Sequence, residues 1–147
     1  MKKTLWGIFL IVMCFLVTGC NVAKENLIDL SPDEFISITY DGKATNTSIT
    51  FTVTEQQENP NTYGEWYEIE TLVDDRWLKL TPINECGFND IALHANDDKS
   101  IVFNIDWEYC YGSLDSGKYR IVKYYIPYLE REATEEDRIY FYVEFSI

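Results

Sequence analysis

The side chains with the widest chemical reach in this 147-residue chain are a single histidine, four cysteines and 25 carboxylates. One imidazole is enough for a Ser-His-Asp or Cys-His arrangement. His94, however, lies beside the Asn96-Asp97-Asp98 turn, and no serine has the glycine-flanked surroundings of a nucleophile elbow. A structural histidine is therefore favoured over a catalytic one. Paired carboxylates can hydrolyse glycosides, but most of the acids here fall in turns or on the polar faces of strands, where solvated charge is their commoner role. Asp97 and Asp98, with Asp90 and Asn96 near in sequence, supply oxygen atoms of the kind calcium takes. They lack the alternating Asp-x-Asp-x-Asp spacing of a loop cage, so a plain turn is preferred. No catalytic set, metal site or cofactor is expected.

The cysteines divide by position. Cys14 lies inside an apolar run from Leu5 to Val17 that follows Lys2 and Lys3, the n-region and h-region of an export signal. At about 13 residues the run is too short for a permanent span, which needs roughly 20. It ends Leu16-Val17-Thr18-Gly19-Cys20, which resembles the lipobox of bacterial lipoproteins. That resemblance implies cleavage after residue 19 and a diacylglyceryl group on the Cys20 thiol, so that the mature protein stays on its membrane through two acyl chains. Cys86 and Cys110 remain. In an exported protein such a pair is either a disulfide or two separate buried thiols. Bridging would close a loop of about 25 residues, worth roughly 3 to 4 kcal/mol on the chain-entropy model.

Losing residues 1–19 removes two lysines and no acid, which moves the net charge from −13 to −15. A surface this acidic repels phosphate backbones and anionic head groups, so no nucleic-acid partner is expected and lying flat on the membrane is disfavoured. The remaining 128 residues are enough for one domain with a real core.

The elements that must position these side chains have a period of two almost throughout. Ile49, Phe51 and Val53 alternate with Ser48, Thr50, Thr52 and Thr54. Ile101, Phe103, Ile105 and Trp107 share one side of their segment, as do Ile139, Phe141, Val143, Phe145 and Ile147 of theirs. Each is the pattern of a half-buried antiparallel strand. Strands are expected at 35–40, 47–54, 66–73, 77–80, 88–93, 99–107, 118–125 and 139–147. Turns at Asp41-Gly42, Asn59-Pro60-Asn61, Asp74-Asp75, Asn96-Asp97-Asp98 and Asp115-Ser116-Gly117 separate them. Helical periodicity is confined to one turn within 132–138. Seven or eight short strands at this spacing imply an all-β, antiparallel sandwich, and a tyrosine corner at its penultimate strand fits the immunoglobulin-like kind. Tyr119, two residues after Gly117 and opening the penultimate strand, fits a structural tyrosine corner.

Aromatic residues are the remaining clue. Tyr140 and Tyr142 alternate away from the core side of the last strand, and Arg120 and Tyr124 do so on the strand before it. Paired strands would gather them into a Tyr/Arg patch suited to a protein or sugar partner, although ordinary cross-strand tyrosine pairing on a solvated sheet accounts for the same pattern. The long connection 126–138, which carries Tyr128, begins apolar and turns acidic. Long loops on rigid sandwiches often recognise partners.

In this order, Tyr63-Gly64-Glu65, Trp77, Phe88-Asn89-Asp90-Ile91, Ile105-Asp106-Trp107, Tyr111-Gly112 and Gly117-Lys118-Tyr119-Arg120-Ile121-Val122-Lys123 make the chain resemble the bacterial Ig-like domains attached to lipoproteins, mostly of Gram-positive organisms. The resemblance implies a sandwich without established catalytic residues or cofactor; a Cys86–Cys110 bridge is not one that family members are expected to share, so it would be particular to this protein. The expected organisation is a signal peptide over 1–19, a lipidated N-terminus and tether over 20–33, and an Ig-like domain over 34–147. The expected function is that of a non-catalytic, extracytoplasmic, lipid-anchored interaction or accessory module. Its partner-binding residues would be Arg120, Tyr124, Tyr128, Tyr140 and Tyr142, and its partner an envelope or extracellular protein or glycan. A glycan-binding module or a hydrolase working through acidic residues is the alternative.

Overall fold

The computed structural model describes residues 35–147; the signal-like segment, Cys20 and the tether lie outside the described residues. Among the described residues there are eight strands, one short α-helix and one 3-10 turn at Glu135–Asp137. In chain order the strands and the α-helix are β1 (Ile36–Tyr40), β2 (Ser48–Glu55), β3 (Thr62–Tyr63), β4 (Glu68–Val73), β5 (Arg76–Lys79), β6 (Ser100–Asp106), α1 (Glu108–Tyr111), β7 (Lys118–Ile126) and β8 (Ile139–Ser146). All strand pairings are antiparallel. One sheet has the order β1-β2-β6; in the other, β7 has β8 along one side and β4 followed by β3 along the other, with β5 outside β4. This is an Ig-like sandwich.

The alternation that specifies each strand also builds the core. Ile49, Phe51 and Val53 of β2 and Ile101, Phe103 and Ile105 of β6 face Ile69, Ile121, Tyr125, Phe141, Val143 and Phe145 of the second sheet. Trp107, fully buried, follows β6; its indole Nε1–H donates to the Asn46 carbonyl at 3.1 Å and its ring packs on Phe145. The Tyr119 hydroxyl donates to the Asp115 carbonyl at 2.9 Å, the bond of a tyrosine corner. No helix among the described residues is long and apolar enough to cross a membrane.

Two departures from the expected elements shape the molecule. The first is the third expected strand, which begins earlier and is broken. Tyr63 pairs with Tyr125 and Glu68 with Val122, so four residues, 64–67, stand opposite two on β7. This bulge strips the carbonyls of Gly64, Glu65 and Trp66 of their ladder partners. Lys123, at an inward position of β7 and only 1 % exposed, supplies the replacement. Its Nζ donates to Gly64 at 2.9 Å, Trp66 at 3.0 Å and Glu65 at 3.4 Å, and lies 4.6 Å from the centre of the Phe103 ring.

The second departure corrects the expected strand at 88–93. Its only pairing is an isolated bridge between Leu93 and Tyr63. Residues 80–99 instead run as an irregular segment fastened to the second sheet and to α1. Phe88 packs edge-on against Tyr67, Asn89 donates to Glu65, and the backbone amides of Ile83 and Asn84 donate to the Cys110 carbonyl. A disulfide joins Cys86 to Cys110 of α1 across 24 positions, with the Cα atoms 5.4 Å apart. Side-chain anchoring of this kind requires no period, which is why Phe88, Ile91 and Leu93 mimic a strand in sequence.

Candidate functional site

The outward faces of β4, β5, β7 and β8 form one continuous surface. Register places Arg120 opposite both Glu70 and Glu144, Val122 opposite Glu68 and Tyr142, and Tyr124 opposite Tyr140. The sheet thus brings together four of the five residues expected to contact a partner: Arg120, Tyr124, Tyr140 and Tyr142. Tyr128 is not among them. It is 57 % exposed on the connection after β7, and among the described residues no ring contact joins it to the face.

Two clusters make up this surface. At one end the rings of Trp66, Tyr124 and Tyr140 meet with centroids 5.6, 5.8 and 6.0 Å apart, and the Arg138 guanidinium lies 4.6 Å over Tyr124. Gly64 makes room for them: a Cβ there would stand 3.1 Å from the Tyr124 hydroxyl. At the other end Arg120 is held between Trp77, at 4.7 Å, and Tyr142, at 5.1 Å, while it pairs with Glu70. Those two charged side chains are only 12 % and 14 % exposed, so the rings shield the pair from water. Val122, although on the outward side, is fully buried, because neighbouring side chains close over it. Trp66, Trp77 and Arg138 were not anticipated in this patch. A tryptophan sharing the alternation of Glu68 and Glu70 was the available signal for Trp66.

The remaining residues singled out for chemistry are in structural roles. His94 Nδ1 is 3.1 Å from the carbonyl of the buried Asn61, so it ties the irregular segment to the loop before β3. Asp98 Oδ1 accepts from the Ser100 hydroxyl at 2.7 Å and amide at 3.0 Å, which holds the carboxyl below its usual range. Asp137 is likewise held below its usual range by Arg131 and Thr134, which brace the 3-10 turn Glu135–Asp137. A general acid requires a shift in the opposite direction. Of the acids on the aromatic face, Glu68 and Glu70 pair with Lys79 and Arg120, and Glu144 is exposed. Among the described residues, no group of three or more His, Cys, Asp or Glu is placed to hold a metal ion. The arrangement offers a rigid plane of rings with polar tips and guanidinium edges, the chemistry of recognition.

The family model described as a bacterial Ig-like domain matches residues 34–140. Comparison with curated proteins and with solved structures returned no match.

Proposed function

Because the chain belongs to the family of bacterial Ig-like domains, we propose that it is a non-catalytic interaction or accessory module of the cell envelope. In this proposal a diacylglyceryl group on Cys20 anchors it at the outer face of the cytoplasmic membrane, and the outward face of β7 and β8 binds an envelope or extracellular protein. The single observation that carries the binding role is the composition of that face. Trp, Tyr and Arg are the residues that dominate interface energies, since they bring large area, few rotatable bonds and a polar tip. Here they are already locked in place by mutual packing, so little ordering entropy remains to be lost on binding.

Crosslinking on intact cells that express the lipidated protein, followed by mass spectrometry, is the direct test. A reproducible protein partner is expected. Its yield should fall at least about tenfold when Tyr124, Tyr140 and Tyr142 are together replaced by serine, which corresponds to the loss of one modest hot spot. Unchanged capture by a folded triple variant would remove this face from consideration.

The Trp66–Tyr124–Tyr140 cluster favours one second reading, a glycan ligand, because adjacent rings present an apolar platform with hydroxyl groups at its edge. Binding to envelope polysaccharide with no trapped protein would select it. Hydrolysis through acidic residues has less support, since Glu68 and Glu70, the less exposed carboxylates of this face, are already engaged by Lys79 and Arg120.

A further inference from the structure

The same departure that leaves 80–99 irregular leaves an edge of the first sheet open. β6 pairs with β2 on one side only. The bonds from the Glu55 amide to the Lys99 carbonyl and from the Trp107 amide to the Thr47 carbonyl, at the two ends of this ladder, set its parity. Ile101, Phe103 and Ile105 direct their main-chain groups to β2, whereas Ser100, Val102, Asn104 and Asp106 direct theirs to the open side. Three main-chain groups at the ends of that open row have partners. The Ser100 amide donates to Asp98 and its carbonyl accepts from Asn96, and the Asp106 carbonyl accepts from the Tyr67 hydroxyl at 3.1 Å. Between them, the N–H and C=O groups of Val102 and Asn104 have no partner among the described residues, and Val102 is 52 % exposed.

Alongside this edge runs a cleft of about 510 Å³ between the two sheets. Phe103, Tyr67, Phe88 and Leu93 line it with apolar surface, and Glu65 and Asp106 supply carboxylates. Lys123 also reaches it, but its ammonium is engaged by the three bulge carbonyls.

We propose that the β6 edge and this cleft form a strand-addition site for an extended basic segment of a partner protein. Two main-chain N–H and C=O pairs spaced by one residue, open to solvent, match the hydrogen-bonding repeat of another extended backbone, and a neighbouring apolar cleft takes the alternate side chains of such a strand. Charge selects the segment. The rim carboxylates and a net charge of −13 attract lysine and arginine, and they oppose edge-to-edge pairing of two copies of this chain. This site is separate from the aromatic face and does not depend on it.

The probe is a peptide of about six residues, the usual strand length, alternating lysine and valine. A glutamate–valine counterpart and a version N-methylated on the amides of one edge serve as controls. Binding to the full-length protein is read by calorimetry, and amide hydrogen exchange locates it. The expected result is binding of the lysine peptide alone, with new protection at Val102 and Asn104. Both N-methylation and Val102→Pro should weaken it at least about tenfold, the scale of one or two lost main-chain bonds. A proline whose missing N–H faces the open side is compatible with an edge strand, and the N-methylated peptide tests the same bonds without altering the protein. Binding that survives N-methylation, protection that appears elsewhere, a concentration-dependent dimer protected at the same amides, or no binding of the lysine peptide would each overturn the proposal. Serine substitutions at Tyr124, Tyr140 and Tyr142 should leave peptide binding unchanged.

Discussion

Lys123 shows how one residue can be required by a defect elsewhere in the chain. Its position in β7 belongs to the core stripe of Tyr119, Ile121 and Tyr125, yet it is a lysine because the bulge at 64–67 leaves carbonyls that an apolar residue cannot satisfy. Lys123→Met should cost about 2 kcal/mol at neutral pH, the loss of donors to buried carbonyls offset in part by removal of a buried charge. Thermal denaturation would measure it. Burial pushes the Lys123 pKa down to about 8 from 10.5, with the Glu65 carboxylate pulling the other way. Between those values the unfolded chain binds more protons than the folded one, so stability rises with pH across the window and the penalty is fully present below pH 8. The gap between wild type and Lys123→Met should therefore widen from pH 8 to 10; a gap independent of pH would show that the ammonium is not penalised. Above pH 10 the sign reverses, because burial raises Tyr67 and Tyr111 to about 12, and stability falls as the unfolded phenols ionise first. Tyr119→Phe removes the bond to the Asp115 carbonyl and should lower stability by about 1 kcal/mol in the same denaturation experiment.

At the level of elements, the segment 80–99 joins a strand of one sheet to a strand of the other, and it is retained by side chains and a disulfide rather than by a ladder. Reducing the Cys86–Cys110 bond should cost roughly 3 to 4 kcal/mol on the chain-entropy model for a loop of this length. Amide exchange should then rise first in 80–99 and α1, while the β2–β6 and β7–β8 ladders stay protected. Uniform acceleration across both sheets would mean that the segment opens only with the whole domain. Because the bulge adds two residues, the alternation survives it, and Trp66 and Tyr67 lie on opposite faces of the same sheet, one joining the aromatic plane and the other the cleft.

For the whole molecule, charge bears on the anchor proposed at Cys20. A net charge of −13 disfavours contact between the protein surface and anionic head groups, and a covalent lipid would supply the attachment that such a surface does not. Cys20→Ser should move the protein from the membrane fraction to the soluble or secreted fraction, and loss of acyl labelling at that position should accompany the change. Retention of the variant in the membrane fraction would contradict lipid anchoring through this cysteine.

Most strand positions, the faces they bury and the sandwich class were legible in the sequence because alternation is a local property, whereas 88–93 alternates without being a strand. Two residues apart means the same side, so Phe51, Phe103 and Phe141 announce a core without any knowledge of one another. The outward placement of Arg120, Tyr124, Tyr140 and Tyr142 follows from the same rule. Tertiary structure decided which strands became neighbours, and with that the assembly of Trp66, Trp77 and the Glu70–Arg120 pair into one face. It also decided that Cys86 meets Cys110, that residues 80–99 leave β6 open, and that Lys123 answers carbonyls almost 60 positions earlier. The first class of fact depends on the pleat of a single strand, repeated along it. The second depends on contacts between distant segments whose spacing follows no period, and those exist only once the chain has closed upon itself.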